Sequence, residues 1–570
     1  MMSLQKIDGF EILVNYLSDL DINLYTGVTG GGVVHFLKHI NGYPSKKHSP
    51  VFFTLGEYAA GFVPIGSYIA TGNIAAAVAT TGAATKLLAC GLSDAKLHDI
   101  PSIYIFPISS NKHKIDCALQ DSSIYGNNIV KQLEAELPNQ VFILSDPSLF
   151  SQQLAAAYQL LVSRKPIVFI LDNDVLTKQY DIALSIPSIT AQPKEDDINK
   201  FVAHFKQNIT HKRVILIVGE QAMHNPNIKS LITKLCQNLK AAVLWSMNGV
   251  NCIESDNPYG YGCISFGGND HALALWNAIN QDDIVLAIGL CPDEYTTNLQ
   301  KIKASTTYFI TELSDSYGQI QGTYKHHALY ESEQITAPID QTLQALVKVT
   351  ENTELTNIPL PIAPKNLNTR KIKAPAVGYA DMDQFYQRLH RWWQPNSIVI
   401  TDVCLTYKDY QYVNPKPNNN ITYFSCYRGS AMGGAYGIAV GAKLASPEKN
   451  VFVFSGDGCF RLYGSCLTEA KDLGIVLFII DNNTYSIVGQ GLPAIIPDVK
   501  KDKYHDQLQK VDYCAIAKAS GWLSYSLSSD LSNLESILDQ IDKNKSHSIL
   551  INVPCDPNQV LGENPRSHNL

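Results

Sequence analysis

Short apolar runs alternate with longer amphipathic stretches along most of this 570-residue chain, the pattern of parallel strands joined by helical crossovers. In the first third the runs are Leu24–Gly27, Val51–Leu55, Ala75–Ala79, Ser102–Phe106, Val141–Leu144 and Ile167–Leu171. The first of them leads through Gly30-Gly31-Gly32 into an amphipathic stretch from Val33. Proline and charge then accumulate from Pro187 to Asp197, as in a linker. A second set follows at Arg213–Gly219, Ala241–Trp245, Asp283–Gly289 and Thr307–Thr311. The proline-punctuated stretch Glu351–Ala376 reads as a second linker. A third set lies at Ser397–Thr401, Val451–Ser455, Ile475–Ile480 and Ser548–Val553. The pattern predicts an α/β chain with three doubly wound parallel-sheet domains, at 1–180, 195–350 and 376–556, and a polar surface tail over 557–570. The first and third domains share a rhythm that suggests distant duplication, although residue identity does not show it.

Composition narrows the function by exclusion. The chain is 45% hydrophobic and 17% charged, with a formal net charge of −7, which offers no surface for nucleic acid. Lys112-His113-Lys114 and Lys500-Lys501 are short enough to be solvated loops. Twelve scattered cysteines form no CxxC pair, so neither a zinc ribbon nor a dithiol redox site is visible. Thiols so dispersed suit a reducing cytoplasm. The N-terminus has acidic residues where a signal peptide needs an apolar run. Ile74–Ala95 is rich in Ala, Thr and Gly but contains Lys86 and Asp94; it reads as a buried helix, not a membrane span. A cytoplasmic protein without membrane or nucleic-acid partners is expected.

The sharpest chemical signal is Ser455-Gly456-Asp457-Gly458, followed at Phe478 by Ile-Ile-Asp481-Asn482-Asn483-Thr484-Tyr485. An apolar strand delivers a carboxylate into a turn whose glycines let a ligand approach the backbone. A second strand ends in amide oxygens, and the carboxyl ends of parallel strands face one crevice. Carboxylate, amide and main-chain oxygens make a hard half-shell suited to Mg2+ and a diphosphate. Either motif alone would be a tight turn or a polar loop; the pair at this spacing is far more specific.

The two motifs together resemble those of thiamine diphosphate (ThDP) enzymes, and the chain is most similar to the acetohydroxyacid synthase and pyruvate decarboxylase superfamily. That resemblance implies pyrimidine-binding, central and diphosphate-binding domains in chain order. It implies Mg2+ held by the Asp457 and Asn482 side chains and the Thr484 carbonyl, with Asn483 as a competing ligand. Gly456, Gly458 and Cys459 would meet the diphosphate, and Tyr485, Ser486 and Ile487 would flank it. Phe53-Thr54-Leu55-Gly56-Glu57-Tyr58-Ala59-Ala60-Gly61 resembles the family's strand–Glu–helix motif, continued by Thr80-Thr81-Gly82-Ala83. Read blandly, Glu57 is only a helix N-terminal acid. In the family such a carboxyl hydrogen-bonds the cofactor's aminopyrimidine and activates it, and Thr81 and Gly82 adjoin the cofactor. Gly429-Ser430-Ala431-Met432-Gly433-Gly434 resembles the loop beneath the folded cofactor, with Met432 between its rings and the Ser430 carbonyl at its amino group. The alternative is a glycine-rich turn entering a packed helix. The family's glutamate comes from a neighbouring subunit, which implies a homodimer or homotetramer.

Three positions bear on the reaction. Val488 falls where decarboxylases of the family carry a proton-relay glutamate. Gln120 falls where the synthases carry glutamine. Gln490, before Gly491, resembles the synthase segment without its tryptophan. Few general acids and a roomy pocket favour ligation over protonation. The expectation is a carboligase that decarboxylates a small 2-oxo acid such as pyruvate and transfers the acyl unit to a larger carbonyl acceptor. Glu57 and Gln120 would be catalytic, and Gln120, Val488 and Gln490 would line the substrate pocket. A 2-oxo-acid decarboxylase releasing an aldehyde and a non-catalytic ThDP-fold binding protein are the alternatives. FAD, bound by some members beside the central domain, is left open, and a dehydrogenase is disfavoured because Gly27-Val28-Thr29-Gly30 lacks GxGxxG spacing.

Overall fold

The computed structural model describes residues 6–42, 50–110, 118–180, 195–351, 356–565 and 569. His113 and its neighbouring lysines, and most of the first expected linker, lie outside these residues. Three six-stranded sheets, parallel throughout, organise the chain. The first contains β1 (Leu24–Gly27), β2 (Val51–Thr54), β3 (Ala76–Val78), β4 (Ile103–Pro107), β5 (Val141–Leu144) and β6 (Ile167–Leu171). The second contains β7 (Arg213–Val218), β8 (Ala242–Trp245), β9 (Gly260–Cys263), β10 (Asp283–Ile288), β11 (Thr306–Thr311) and β12 (Glu331–Thr336). The third contains β13 (Ser397–Thr401), β14 (Ile421–Ser425), β15 (Asn450–Gly456), β16 (Ile475–Asp481), β17 (Leu523–Ser526) and β18 (Ile549–Pro554). Central strands such as β4 and β10 are buried along their whole length, as a parallel sheet covered on both faces requires.

The spatial orders are β2-β1-β3-β4-β6-β5 and β14-β13-β15-β16-β18-β17. These are the same topology, so the first and third sheets share an architecture that residue identity does not show. The four strands absent from the apolar pattern, β9, β12, β14 and β17, are all sheet edges. An edge strand is covered less completely and needs no unbroken apolar run.

Two expectations require correction. Ile74–Ala95 is not one buried helix: β3 ends at Val78, and the helix begins at Ala83 after Gly82, whose φ of +86° breaks it. The polar C-terminus is not a loose surface tail over its first turn. Lys408 and Asp409, both buried, form an ion pair (2.7 Å) whose remaining capacity is met by Gly562, its carbonyl accepting from Lys408 and its N–H donating to Asp409. Leu561 is buried beside them. The stretch after Thr356 is extended and runs along the second sheet, hydrogen-bonded at Ile358, Leu360 and Ala363. Among the described residues, no helix is long and apolar enough to cross a membrane.

The helices that matter for the site are α1 (Glu57–Ala60), α2 (Val63–Thr71), α3 (Ala83–Leu97), α4 (Gly434–Ala445) and α5 (Ser486–Ile495). The first and third sheets share one apolar core, because α2 and α4 pack backbone to backbone. A Cβ at Gly66 would lie 1.8 Å from the Ile438 carbonyl oxygen, and one at Gly437 2.1 Å from that of Ala59. Neither neighbour can yield, since both are main chain in helices. Gly66→Ala and Gly437→Ala should each destabilise the chain by about 1–3 kcal/mol or more in urea unfolding. Gly31→Ala, where a Cβ meets nothing within 4 Å, should change stability by less than about 0.5 kcal/mol.

Candidate active site

In the third sheet the chain leaves β13 toward one edge and β15 toward the other, so the ends of these adjacent strands flank the switch point where open α/β sheets bind ligands. Register places Thr401 opposite Phe454 and Gly456 opposite Ile480. Asp402, Asp457 and the Asn482–Thr484 loop therefore emerge on one side of the sheet.

Asp457 opens a short helix and is only 2% exposed. Its Oδ1 accepts the Gly458 N–H at 2.9 Å, and its Oδ2 accepts those of Asn483 at 2.6 Å and Asn482 at 3.3 Å. One carboxylate thus fastens the GDG turn to the asparagine loop. Burial raises its pKa to about 6; the charge of Asp481 adds to this, and the three backbone donors oppose it. A divalent cation would reverse that balance. The Asn482 Oδ1 accepts the Thr484 N–H (3.1 Å), while the Asn483 Oδ1 is buried without a partner among the described residues. No three His, Cys, Asp or Glu converge on a metal site among the described residues, so amide and main-chain oxygens would have to complete the set. A buried carboxylate among oxygen donors fits Mg2+. The Tyr485 ring lies against Gly458, 2.6 Å from where a Cβ would stand. Ser486 is buried and Ile487 half-buried on the first turn of α5.

Below this cluster runs the Met432 loop. Ser430 has a left-handed backbone (φ 51°), and its hydroxyl donates to the Tyr427 carbonyl at 2.7 Å. The Gly433 N–H meets both oxygens of Asp402, at 2.9 and 3.1 Å. Cys459, buried behind Asp457, presents its carbonyl close to Gly433. Glu57, the first residue of α1, is half-buried; its carbonyl accepts the Gly61 N–H at 3.1 Å, and its carboxylate makes no hydrogen bond or ion pair among the described residues. The next residue, Tyr58, donates its hydroxyl to the Met432 carbonyl. Thr81 and Gln120 also come together: the threonine hydroxyl donates to the Gln120 Oε1 at 2.8 Å, and Gln120 overlies Gly82. Among the described residues, no hydrogen bond joins this pair or Glu57 to the Asp457 cluster. Val488 is 49% exposed. Gln490, on α5, donates to the Pro557 carbonyl at 2.9 Å.

Two acids absent from the sequence reading support this arrangement. Asp402 is fully buried, bonded to Gly433, the Ser455 hydroxyl (2.8 Å) and the Val403 N–H (2.8 Å); burial raises its pKa to about 6 against those bonds. It ends an apolar strand just as Asp457 does, and that pattern was the available signal. Asp506 accepts through its carbonyl from the Tyr485 N–H and the Thr484 hydroxyl. Its loop carries no motif, and only folding brings it to the site.

At the second sheet's own switch point, between β7 and β10, stand Gly219 and Gly289. A Cβ on the first would lie 2.2 Å from the carbonyl oxygen of the second, so these glycines serve close backbone packing. The adjoining cavity is lined by His98, Arg164, Glu220 and Arg428 among others. Arg428 is spent on Glu220 and on Asp293 (2.7 Å), and Arg164 on Glu312 (2.6 Å). Both guanidiniums are thus paired, and the Glu220 carboxylate stands at the strand end.

The description "Thiamine pyrophosphate enzyme, N-terminal TPP binding domain" matches residues 7–116, and its C-terminal counterpart matches 404–553. These regions contain most of the first and third sheets, whose loops carry the site. The chain belongs to the thiamine diphosphate-dependent enzymes of the acetohydroxyacid synthase and pyruvate decarboxylase superfamily. It is 20% identical to the acetolactate synthase large subunit of Haemophilus influenzae, over 98% of this chain and 96% of that protein. It is 23% identical to the acetolactate synthase isozyme 2 large subunit of Escherichia coli, over 85% and 82%. The fold matches that of the Rhodococcus jostii thiamine diphosphate-dependent 4-hydroxybenzoylformate decarboxylase with a TM-score of 0.78, at 15% identity over 96% of this chain and 99% of that one.

Arg428 ties the three sheets together, since it also donates to the Leu97 carbonyl at 3.1 Å. Burial alone would raise the Glu220 pKa, but Arg428, His98 and Asn248 outweigh it and hold it at about 2. Because this lies below the ordinary carboxylate value, the contribution to stability is present above that value and is lost as pH falls toward 2. Glu220→Gln should cost about 3–5 kcal/mol at pH 7 by leaving Arg428 short of a partner. The gap in thermal midpoint between variant and parent should narrow in acid.

Proposed function

We propose that this chain holds ThDP and Mg2+ at the switch point of the third sheet, decarboxylates a small 2-oxo acid such as pyruvate, and transfers the acyl unit to a carbonyl acceptor. The observation that carries the reading is the buried Asp457 carboxylate gathering the Asn482–Thr484 loop. In this reading Asp457, Asn482 and the Thr484 carbonyl hold the metal, with the Asn483 amide oxygen as the competing ligand. Gly456, Gly458 and Cys459 present backbone to the diphosphate, and Met432 supports the folded cofactor. Bound ThDP supplies a nucleophilic carbon and an electron sink. Glu57, from a second copy of the chain, hydrogen-bonds the aminopyrimidine. Gln120, held by Thr81, orients the substrate carbonyl.

Ligation is favoured over aldehyde release by the start of α5, where Ile487 and exposed Val488 offer no proton. Similarity to acetolactate synthases points the same way. The acceptor is larger than pyruvate in this reading, because Gly491 and Val488 leave space.

Calorimetry with ThDP and Mg2+ tests the site: Glu57→Gln should retain binding and lose turnover about a hundredfold or more, while Asp457→Ala should lose metal-dependent binding. Pyruvate offered with a panel of aldehydes and ketones should yield a new carbon–carbon bond with at least one. Acetaldehyde as the sole product throughout would establish the plain decarboxylase instead.

A further inference from the structure

The peptide unit between Met432 and Gly433 is gripped at both poles. Its carbonyl accepts the Tyr58 hydroxyl, and its N–H donates to both carboxylate oxygens of Asp402. The jaws come from different sheets. Tyr58 sits on α1, directly after Glu57, and Asp402 ends β13. Neither is free to swing. The Tyr58 ring packs edge-on against Phe62, centroids 5.3 Å apart, and the Phe62 ring in turn covers Gly434. Asp402 is anchored by the Ser455 hydroxyl and the Val403 N–H. Gly433 has a left-handed backbone (φ 86°), so the plane of this peptide, and with it the direction of the Met432 side chain, is set from outside the loop.

We infer that Tyr58 and Asp402 are positioning residues that clamp the Met432–Gly433 peptide, aiming Met432 and tying it mechanically to the helix whose own Glu57, in the proposed assembly, serves the second copy's site. The inference rests on the proposed cofactor site but assigns it two residues that touch neither metal nor substrate. Each jaw contributes by orienting one amide, so either loss should let the same peptide rotate. Two groups acting on one peptide should therefore be strongly non-additive.

The test is a double-mutant cycle of Tyr58→Phe and Asp402→Asn on the full chain. Its readouts are the ThDP dissociation constant at saturating Mg2+, the near-ultraviolet circular dichroism that bound ThDP adds, and the thermal midpoint of the cofactor-free protein. Each single variant should weaken ThDP about five- to tenfold, the effect of one hydrogen bond, and diminish the dichroic band while leaving the cofactor-free midpoint nearly unchanged. The double variant should be no more than about twofold worse than the weaker single. Should Asp402→Asn fail to fold, Tyr58→Phe decides alone. Binding within twofold of the parent with an unaltered band overturns the clamp, as do losses that multiply or that merely track the cofactor-free midpoint. A parent chain that binds no ThDP sinks the cofactor reading, and the clamp with it.

Discussion

The backbone contact between α2 and α4 is the constraint on which the chemistry of this molecule depends. Gly66, Gly437 and Gly441 each face a main-chain carbonyl of the opposing segment at a distance no side chain could share. Two helices so close behave as one rigid piece. One follows the Glu57 segment and the other follows the Met432 loop, so their contact sets how the first and third sheets of one chain sit against each other. Everything nearer the switch point, including the Tyr58 hydroxyl on Met432, is positioned from this seam.

Around the seam the molecule carries buried carboxylates of two kinds. Glu220 is matched by Arg428 and stays ionised in a joint that also engages Asp293 and the Leu97 carbonyl. Asp94, Asp402 and Asp457 are raised to about 6 by burial. Asp402 and Asp457 accept backbone N–H groups, which fix local geometry without neutralising charge. Asp94 lies so close over Gly429 that a Cβ there would fall 1.4 Å from its oxygen. The paired acid holds domains together; the unpaired ones surround the loops that would carry cofactor and metal. Burying a carboxylate without a cation is costly, and a functional site is where such a cost is tolerated.

Much of this was legible before folding. Apolar runs located every central strand, because a strand covered on both faces leaves no room for polar residues. They did not reveal β9, β12, β14 and β17, whose edge positions relax that demand. The GDG and asparagine-loop motifs announced themselves because glycine, carboxylate and amide follow strands at fixed spacing. Asp402 shares the strand-then-acid pattern but lacks flanking glycines, and Asp506 has no local signature. Gln490 stood out by its motif, whereas its contact with the Pro557 carbonyl came only with packing.

The residues of this chain determined by themselves its three parallel sheets and its family, since each is written in local pattern and residue type. Tertiary structure alone decided which distant groups meet: Tyr58 with Met432, Asp402 with Gly433, Thr81 with Gln120, Arg428 with Glu220. The reason is physical. A strand or a glycine-rich turn is specified by interactions within a few residues, whereas a clamp depends on relative placement of whole sheets, which packing across hundreds of residues sets.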